Sequence, residues 1–441
     1  MDLKNKYIAV IGAGESGVGA ALLAQKKGAE VFVSDYGKIK ENYKKELEEN
    51  AIPFEEKGHS LNKIEGADQV IKSPGIPNDS AVIQYLKKAN APLLSEIEFA
   101  SRFSQAKTIC ITGSNGKTTT KNIIYSILSQ SYGVIKTKGN LNNHIGVPLS
   151  LLDINDDVDI AVIEMGANHI GEIKTLCEIA MPDFGLITNY GHAHLEGFGG
   201  FEGVVKGKSE MFDYLTQNYG HIILNNDDII QIENCKGDLA ITFGEKEDSE
   251  FIYKYKKEEN ALIIQNDDDK YKCEIYGDYN FSNIAASITI GKFFDLSSSE
   301  IQKGLISFKN DSNRSEVINY GNNKLYLDAY NANPTSMKAA ISNFENNILN
   351  NKILILGDMF ELGDYSSIEH QKIIDFIDNK DYLKVYLVGE NFYDCQTQSN
   401  YFERFKSTEE MLKSVKLIDF SLTNILIKGS RGIGLEKLIK D

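Results

Sequence analysis

Cysteine is scarce in this 441-residue chain, and it shows no pattern. The five residues (Cys110, Cys177, Cys235, Cys273 and Cys395) include no C-x-x-C pair. That argues against a disulfide framework or a cysteine zinc site and for reduced thiols. Long apolar runs are missing too. No stretch of 18 apolar residues occurs, the length at which a spanning helix becomes a candidate, so no membrane segment is expected. Positive charge is in deficit, with 47 Lys and Arg against 63 Asp and Glu and a net charge of −16. This balance argues against nucleic acid or an anionic membrane as the main partner. It does not argue against a nucleotide, because a local loop can bind phosphate within an acidic protein. No leader is expected either, because MDLKNKYIAVIGAG passes straight into a strand-like run, and a cytoplasmic protein is expected. Internal repeats and low-complexity tails are absent.

What remains is ordinary soluble globular composition, 42% hydrophobic and 25% charged. The length suits two to four domains. The chain is organised around ITGSNGKTTT, residues 111–120. An apolar run leads into Gly113, Ser114, Asn115, Gly116, Lys117, Thr118 and Thr119, and a helix-compatible run over 121–128 leads out. Strand, glycine loop and helix are the context of a phosphate-binding loop, here in a shorter form than the common one. Glycines let backbone N–H groups face phosphate oxygens, and the helix N-terminus adds partial positive charge. Lys117 can reach the β- and γ-phosphates, and the Thr118 hydroxyl can ligand Mg²⁺.

Before this loop, an apolar run over 7–11 enters Gly12-Ala13-Gly14-Glu15-Ser16-Gly17, a formal G-x-G-x-x-G. A helix pattern and a second strand follow, ending at Asp35, 18 positions after Gly17. This is the layout of a dinucleotide-binding unit. The readings are NAD, a UDP-type diphosphate or a structural glycine turn, with the diphosphate preferred. Ser73-Pro74-Gly75 forms a rigid turn at a strand end, where ligands of open α/β sheets sit. Ser95 with Glu98 predicts a capped helix.

After the loop, residues 138–144 are rich in amides and read as a substrate-facing loop. A buried-type strand ends in Glu164, well placed for Mg²⁺ or an attacking group. His192 and His194 stand two apart: a zinc pair, one Mg²⁺ ligand beside one loop histidine, or a solvent loop. A helix over 201–214 carries Lys206 and Lys208, expected as a solvated face. Residues 249–272 alternate like a hairpin excursion. Asn280 and Asn283 share a helix face and suit either an adenine contact or a helix cap. A third unit begins near residue 299, with Arg314 in a polar loop, a strand ending in Asp328, and the turn Tyr330-Asn331-Ala332-Asn333-Pro334. It has the alternation of a Rossmann-like unit but lacks phosphate-turn glycines.

These features together resemble the Mur (muramyl) ligases, the ATP-dependent ligases of peptidoglycan stem peptides. Residues 1 to about 105 resemble the D-glutamate-adding branch, through IGAGESGVGAALLAQKKGAEVFVSD, KSPGIP and SEIEFASRF. The remainder resembles the D-alanyl-D-alanine-adding branch, through KGNLNNHIGVPLSLL, EMGANHIGEI, HAHLEGFGGFEGVVKGK, DAYNANPTS, LGDMFELG and KGSRG. The resemblance implies an α/β protein of three domains. These are a Rossmann-like UDP-sugar domain (1–104), a central ATP-binding domain with a mostly parallel sheet (105–298), and a Rossmann-like C-terminal domain for the incoming amine (299–441). It implies that Gly113 to Thr119 hold ATP, with Asn283, Arg314 and Asp328 on the nucleotide. Thr118, Glu164 and His194 would bind Mg²⁺, and Lys208, if carbamylated, would support it. Asn140, His144, Tyr330, Asn331 and Asn333 would face the acceptor and amine. Gly14, Glu15, Ser16, Gly17, Asp35, Ser73, Pro74 and Gly75 would hold the UDP moiety.

The implied reaction activates the carboxylate of a UDP-MurNAc-peptide as an acyl phosphate, which the amine then attacks. The domains would close to bring the reactants together. D-Ala-D-Ala on a UDP-MurNAc-tripeptide is the expected pair. D-Glu on UDP-MurNAc-L-Ala, an inactive hybrid and an NAD oxidoreductase are the alternatives. A monomer is expected.

Overall fold

The structure is a computed structural model describing residues 3–73, 75–103, 105–258, 261–309 and 316–439. Pro74 and Arg314 lie outside the described residues. The chain forms two compact units, one built on Met1–Ala106 and the other on Lys107–Ser150, Asp156–Cys177 and Pro182–Asp441.

The first unit is a five-stranded parallel sheet. Its order is Phe54–Glu55, Glu30–Ser34, Tyr7–Ile11, Gln69–Lys72 and Leu93–Ser95. Successive residues of the central strand serve opposite faces. Ile8 and Val10 pack with Val18, Ala21 and Ala24, while Ala9 and Ile11 pack with Ile83 and Leu86. Burial on both faces explains why the strands read as near-continuous apolar runs. Each fully buried isoleucine contributes about 1.5–3 kcal/mol of transfer free energy. The capped helix falls where expected, at Glu96–Ser101, with the Ser95 hydroxyl accepting the Glu98 N–H.

The second unit carries a seven-stranded parallel sheet. Its order is Phe251–Ile252, Ala240–Gly244, His221–Asn225, Phe184–Ile187, Lys107–Thr112, Ile160–Glu164 and Val134–Lys136. The expected hairpin excursion is a three-stranded antiparallel sheet, Lys254–Glu258, Ala261–Asn266 and Asp269–Cys273. The helix leaving the phosphate loop spans Lys117–Leu128, a full turn earlier than the apolar pattern predicts. Helices Phe281–Phe293 and Ser298–Ser307 pack on it. The approach is close: a Cβ on Gly304 would stand 2.4 Å from the Ile127 Cα. Ile301 and Leu305 therefore join the core of Ile109, Ile111, Ile123 and Ile284.

A third sheet follows in the same unit. Its order is Glu316–Tyr320, Asn323–Asp328, Asn424–Lys428, Lys352–Gly357, Lys384–Val388 and Phe402–Phe405. Only the first pair is antiparallel. Among the described residues, no helix is long and apolar enough to cross a membrane.

Candidate functional site

The phosphate loop leaves a strand in the middle of the seven-stranded sheet, where a parallel sheet opens a crevice at its C-terminal strand ends. Two of its glycines are required by geometry. Gly113 has φ +141°, and a Cβ there would meet the Thr188 hydroxyl at 1.9 Å. Gly116 has φ +82°, and a Cβ there would meet the Asn283 amide at 2.6 Å. Lys117 curls over the loop, its Nζ donating to the Gly113 carbonyl at 2.7 Å.

Glu164 ends the neighbouring strand, in register with Ile111, and is buried. Its Oε2 accepts from the Thr118 hydroxyl and from Lys121 Nζ, each at 3.0 Å. Its Oε1 accepts from Asn142 Nδ2 at 2.9 Å. Burial alone would raise this carboxyl, but Lys121 and Lys117, with the amide and ammonium hydrogen bonds, hold it below its ordinary value. Lys121 is itself buried and also donates to the Gly139 carbonyl at 2.9 Å. A hydroxyl and an ionised carboxylate beside a phosphate loop form a hard-oxygen donor pair suited to a divalent cation. Among the described residues, no three His, Cys, Asp or Glu gather into a metal cage of their own.

The loop at 189–194 is held from two sides. Asn189 Oδ1 accepts the Asn115 N–H at 3.1 Å, and the Ser114 hydroxyl donates to the Gly191 carbonyl at 3.0 Å. From the third sheet's side, the Thr335 hydroxyl accepts the His192 N–H at 3.1 Å, and Glu361 pairs with His194 Nδ1. His192 also stacks on Phe201. The two histidines thus go to different partners, and a shared zinc site is not formed.

Lys208 corrects the expectation of a solvated helix face. Lys206 is exposed, but Lys208 is only 1% exposed, with its ammonium over the Phe198 ring. Burial, and then the charge of Lys117, push its pKa down to about 7. Its amine is therefore available in the neutral form near neutral pH.

Asn283 lies against Gly116 and donates to Asn280 Oδ1 at 3.0 Å, while Asn280 Nδ2 donates to the Tyr276 carbonyl. Neither side chain caps the helix, which removes the capping alternative. In the third sheet, Asp328 and Lys428 end adjacent parallel strands in register, with Lys428 Nζ to Asp328 Oδ2 at 2.6 Å. Asn333 caps helix Pro334–Asn347, and its Nδ2 donates to Asn115 Oδ1 of the phosphate loop at 2.7 Å. Asn115, Lys117, Thr118, Glu164, His194, Asn283, Asp328, Tyr330 and Asn331 all line one cleft of ≈ 930 Å³, and Asn140 and His144 border it from their exposed loop. The Tyr330 ring carries Arg431 on its face.

In the first unit, Gly12 has φ +100°, and Gly17 is packed so tightly that a Cβ would stand 1.9 Å from the Gly12 carbonyl oxygen. Gly14 begins helix Glu15–Lys26, with Glu15 exposed and Ser16 half-buried at its N-terminus. Asp35 accepts the Ala13 N–H at 2.6 Å and the Gly37 N–H at 2.7 Å, so its carboxylate braces the glycine turn. Ser73 is buried and donates to the Gly12 carbonyl at 3.3 Å, while Gly75 is exposed.

Residues 7–82 match the MurD N-terminal domain, 111–291 the Mur ligase middle domain, and 313–431 the Mur ligase glutamate ligase domain. The chain is 34% identical over 346 residues to the UDP-N-acetylmuramoyl-tripeptide–D-alanyl-D-alanine ligase of Bacillus subtilis, covering 76% of this chain and 75% of the relative. It belongs to the Mur ligase family. It is thus an ATP-dependent ligase forming C–N bonds. The UDP-N-acetylmuramoylalanine–D-glutamate ligase of Bacteroides thetaiotaomicron is 32% identical over 407 residues, covering 91% of this chain and 87% of the relative. The structure of MurF from Acinetobacter baumannii superposes with a TM-score of 0.72 at 26% identity, covering 97% and 92% of the two chains.

Glu361 and Lys428 line the cleft, and Lys121 holds Glu164 beside it; the sequence reading assigns none of the three a role. Lys121 follows Lys117 by one helical turn, a spacing that places it on the same helix face. The other two meet their partners only through the tertiary fold.

Proposed function

We propose that this Mur ligase adds D-Ala-D-Ala to the terminal carboxylate of a UDP-MurNAc-tripeptide. The observation that carries the reading is one cleft bounded by the phosphate loop, Glu164 and the Asp328–Lys428 strand ends. The substrate pair is supported by the chain's similarity to UDP-N-acetylmuramoyl-tripeptide–D-alanyl-D-alanine ligases. In this reading residues 1–104 hold the UDP moiety, 105–298 the ATP and 299–441 the incoming dipeptide, in a cytoplasmic monomer.

The backbone amides of Gly113 to Lys117 and the Lys117 ammonium hold the β- and γ-phosphates and neutralise charge as the phosphoryl group moves to the acceptor carboxylate. Asn283 and Asp328 hold the nucleoside, joined by Arg314. Thr118, Glu164 and His194 fit Mg²⁺, which supplies Lewis-acid stabilisation of the transferring phosphoryl group when bound. Lys208 suits carbamylation: its neutral amine can add CO₂ and release a proton, which would put a buried carbamate anion near Lys117. Asn140, His144, Tyr330, Asn331 and Asn333 position the acceptor and the amine, whose attack on the acyl phosphate releases phosphate. Gly14 to Gly17, Asp35 and the turn Ser73–Gly75 hold the UDP.

D-Glu addition to UDP-MurNAc-L-Ala is a second reading, favoured by the MurD-type N-terminal match and the Bacteroides relative. Phosphate release from ATP with each substrate pair separates the two. Turnover with the tripeptide and D-Ala-D-Ala alone is expected. Turnover only with UDP-MurNAc-L-Ala and D-Glu would replace the proposal with the second reading.

A further inference from the structure

Glu361 sits on the loop after strand Lys352–Gly357, in the third sheet, yet its carboxylate meets the imidazole of His194 beside the phosphate-loop sheet. Both residues have left-handed backbones, Glu361 at φ +63° and His194 at φ +55°. Such a conformation is unfavourable for a non-glycine residue and persists only when the surroundings impose it. The surroundings here are well defined. Asp358 accepts the N–H groups of Asn391 and Phe392, each at 2.9 Å. The Met359 N–H donates to Nε2 of buried His370 at 3.0 Å, and the Phe360 N–H donates to the Ser430 hydroxyl at 3.1 Å. Just past Glu361, Gly363 (φ +54°) lies so close to Glu196 that a Cβ would stand 2.9 Å from its side chain. A rigid bracket therefore delivers one carboxylate to one histidine.

An imidazole whose Nδ1 is held by a carboxylate has a fixed tautomer and ring orientation, with Nε2 left as its ligand atom. Carboxylates in this position raise the basicity of a metal-binding histidine. We infer that Glu361 is the positioning carboxylate of His194, through which the third sheet sets how tightly the phosphate-loop half holds its divalent cation. This inference rests on the proposed metal role of His194. Metal affinity then depends on the third sheet being docked, because the carboxylate arrives only with it.

The test measures Mn²⁺ affinity of the full-length protein with ADP, by the electron paramagnetic resonance of free Mn²⁺. The proteins are wild type, Glu361→Gln, His194→Ala and the double variant, and metal-free ADP affinity is measured alongside. Glu361→Gln is expected to weaken Mn²⁺ binding roughly 10-fold or more, to leave metal-free ADP affinity unchanged, and to add nothing in the His194→Ala background. Unchanged or tighter Mn²⁺ binding in Glu361→Gln, or a full effect persisting without His194, would overturn the inference alone. If His194→Ala binds Mn²⁺ as wild type does, the metal role of His194 fails and the inference fails with it.

Discussion

Lys121 and Glu164 form an ion pair sealed from solvent, Nζ to Oε2 at 3.0 Å, with side chains only 1% and 2% exposed. One partner lies on the phosphate-loop helix and the other at the end of the adjacent strand. The pair therefore fixes the carboxylate against the Thr118 hydroxyl. Removing one partner strands the other charge in the interior. Lys121→Met is expected to destabilise the protein by about 3–5 kcal/mol. Lys121→Met with Glu164→Gln recovers part of that loss, as urea unfolding of the single and double variants would show.

The same carboxyl has a pH signature. Its folded pKa lies below the ordinary 4.5, so its stabilising contribution is present above that value and is lost as pH falls through the folded pKa. Glu164→Gln is expected to lower stability at pH 7 and to shrink the stability lost on acidification below pH 4.5, read from melting temperature against pH.

The charge on Lys208 destabilises the fold, where that on Glu164 stabilises it. Its folded pKa of about 7 lies under the ordinary 10.5. The cost of burying the ammonium is fully present below the folded value and disappears as pH rises toward the unfolded one. In bicarbonate-depleted buffer, Lys208→Met is expected to stabilise the fold at neutral pH by on the order of a few kcal/mol. It should also flatten the rise in melting temperature with pH between about 7 and 10. Added bicarbonate should change the wild type and leave the variant unmoved.

The phosphate loop was legible in the sequence because its chemistry is local. Gly113, Gly116 and Lys117 are adjacent in the chain, and the backbone angles that demand glycine follow from the turn itself. Glu164 and Asp328 were legible as carboxylates that end buried runs, the positions where parallel sheets present ligands-to-be. Lys208 was misread because nothing adjacent marks it as different from Lys206; only the Phe198 ring and the packed sheet behind it decide which lysine is buried. Glu361 and Lys428 were invisible for a related reason. Their partners, His194 and Asp328, lie far away along the chain, and only the folded sheets bring them together. In the first unit, Asp35, expected to hold the UDP moiety, also braces the glycine turn through Ala13 and Gly37, a contact the spacing could not reveal.

Gly116 offers a test of the loop that does not depend on charge. Gly116→Ala combines an unfavourable backbone at φ +82° with a clash on the Asn283 amide. The expected result is a loss of about 1–3 kcal/mol in stability with a weakening of ADP binding, measured by titration calorimetry on the folded fraction.

Glu361→Gly separates strain from function. Glycine takes φ +63° without penalty, so the variant should be as stable as wild type or about 1 kcal/mol more so. Its Mn²⁺ affinity with ADP should nevertheless fall, giving stability and metal binding opposite signs in one variant.

In the proposed reaction this cleft activates a carboxylate by phosphoryl transfer. The most direct measurement follows ¹⁸O from the labelled terminal carboxylate of UDP-MurNAc-tripeptide during ligation to D-Ala-D-Ala. One ¹⁸O in each phosphate released, with ADP unlabelled, is the predicted result. Product formed with unlabelled phosphate, or with the label in AMP, would contradict it.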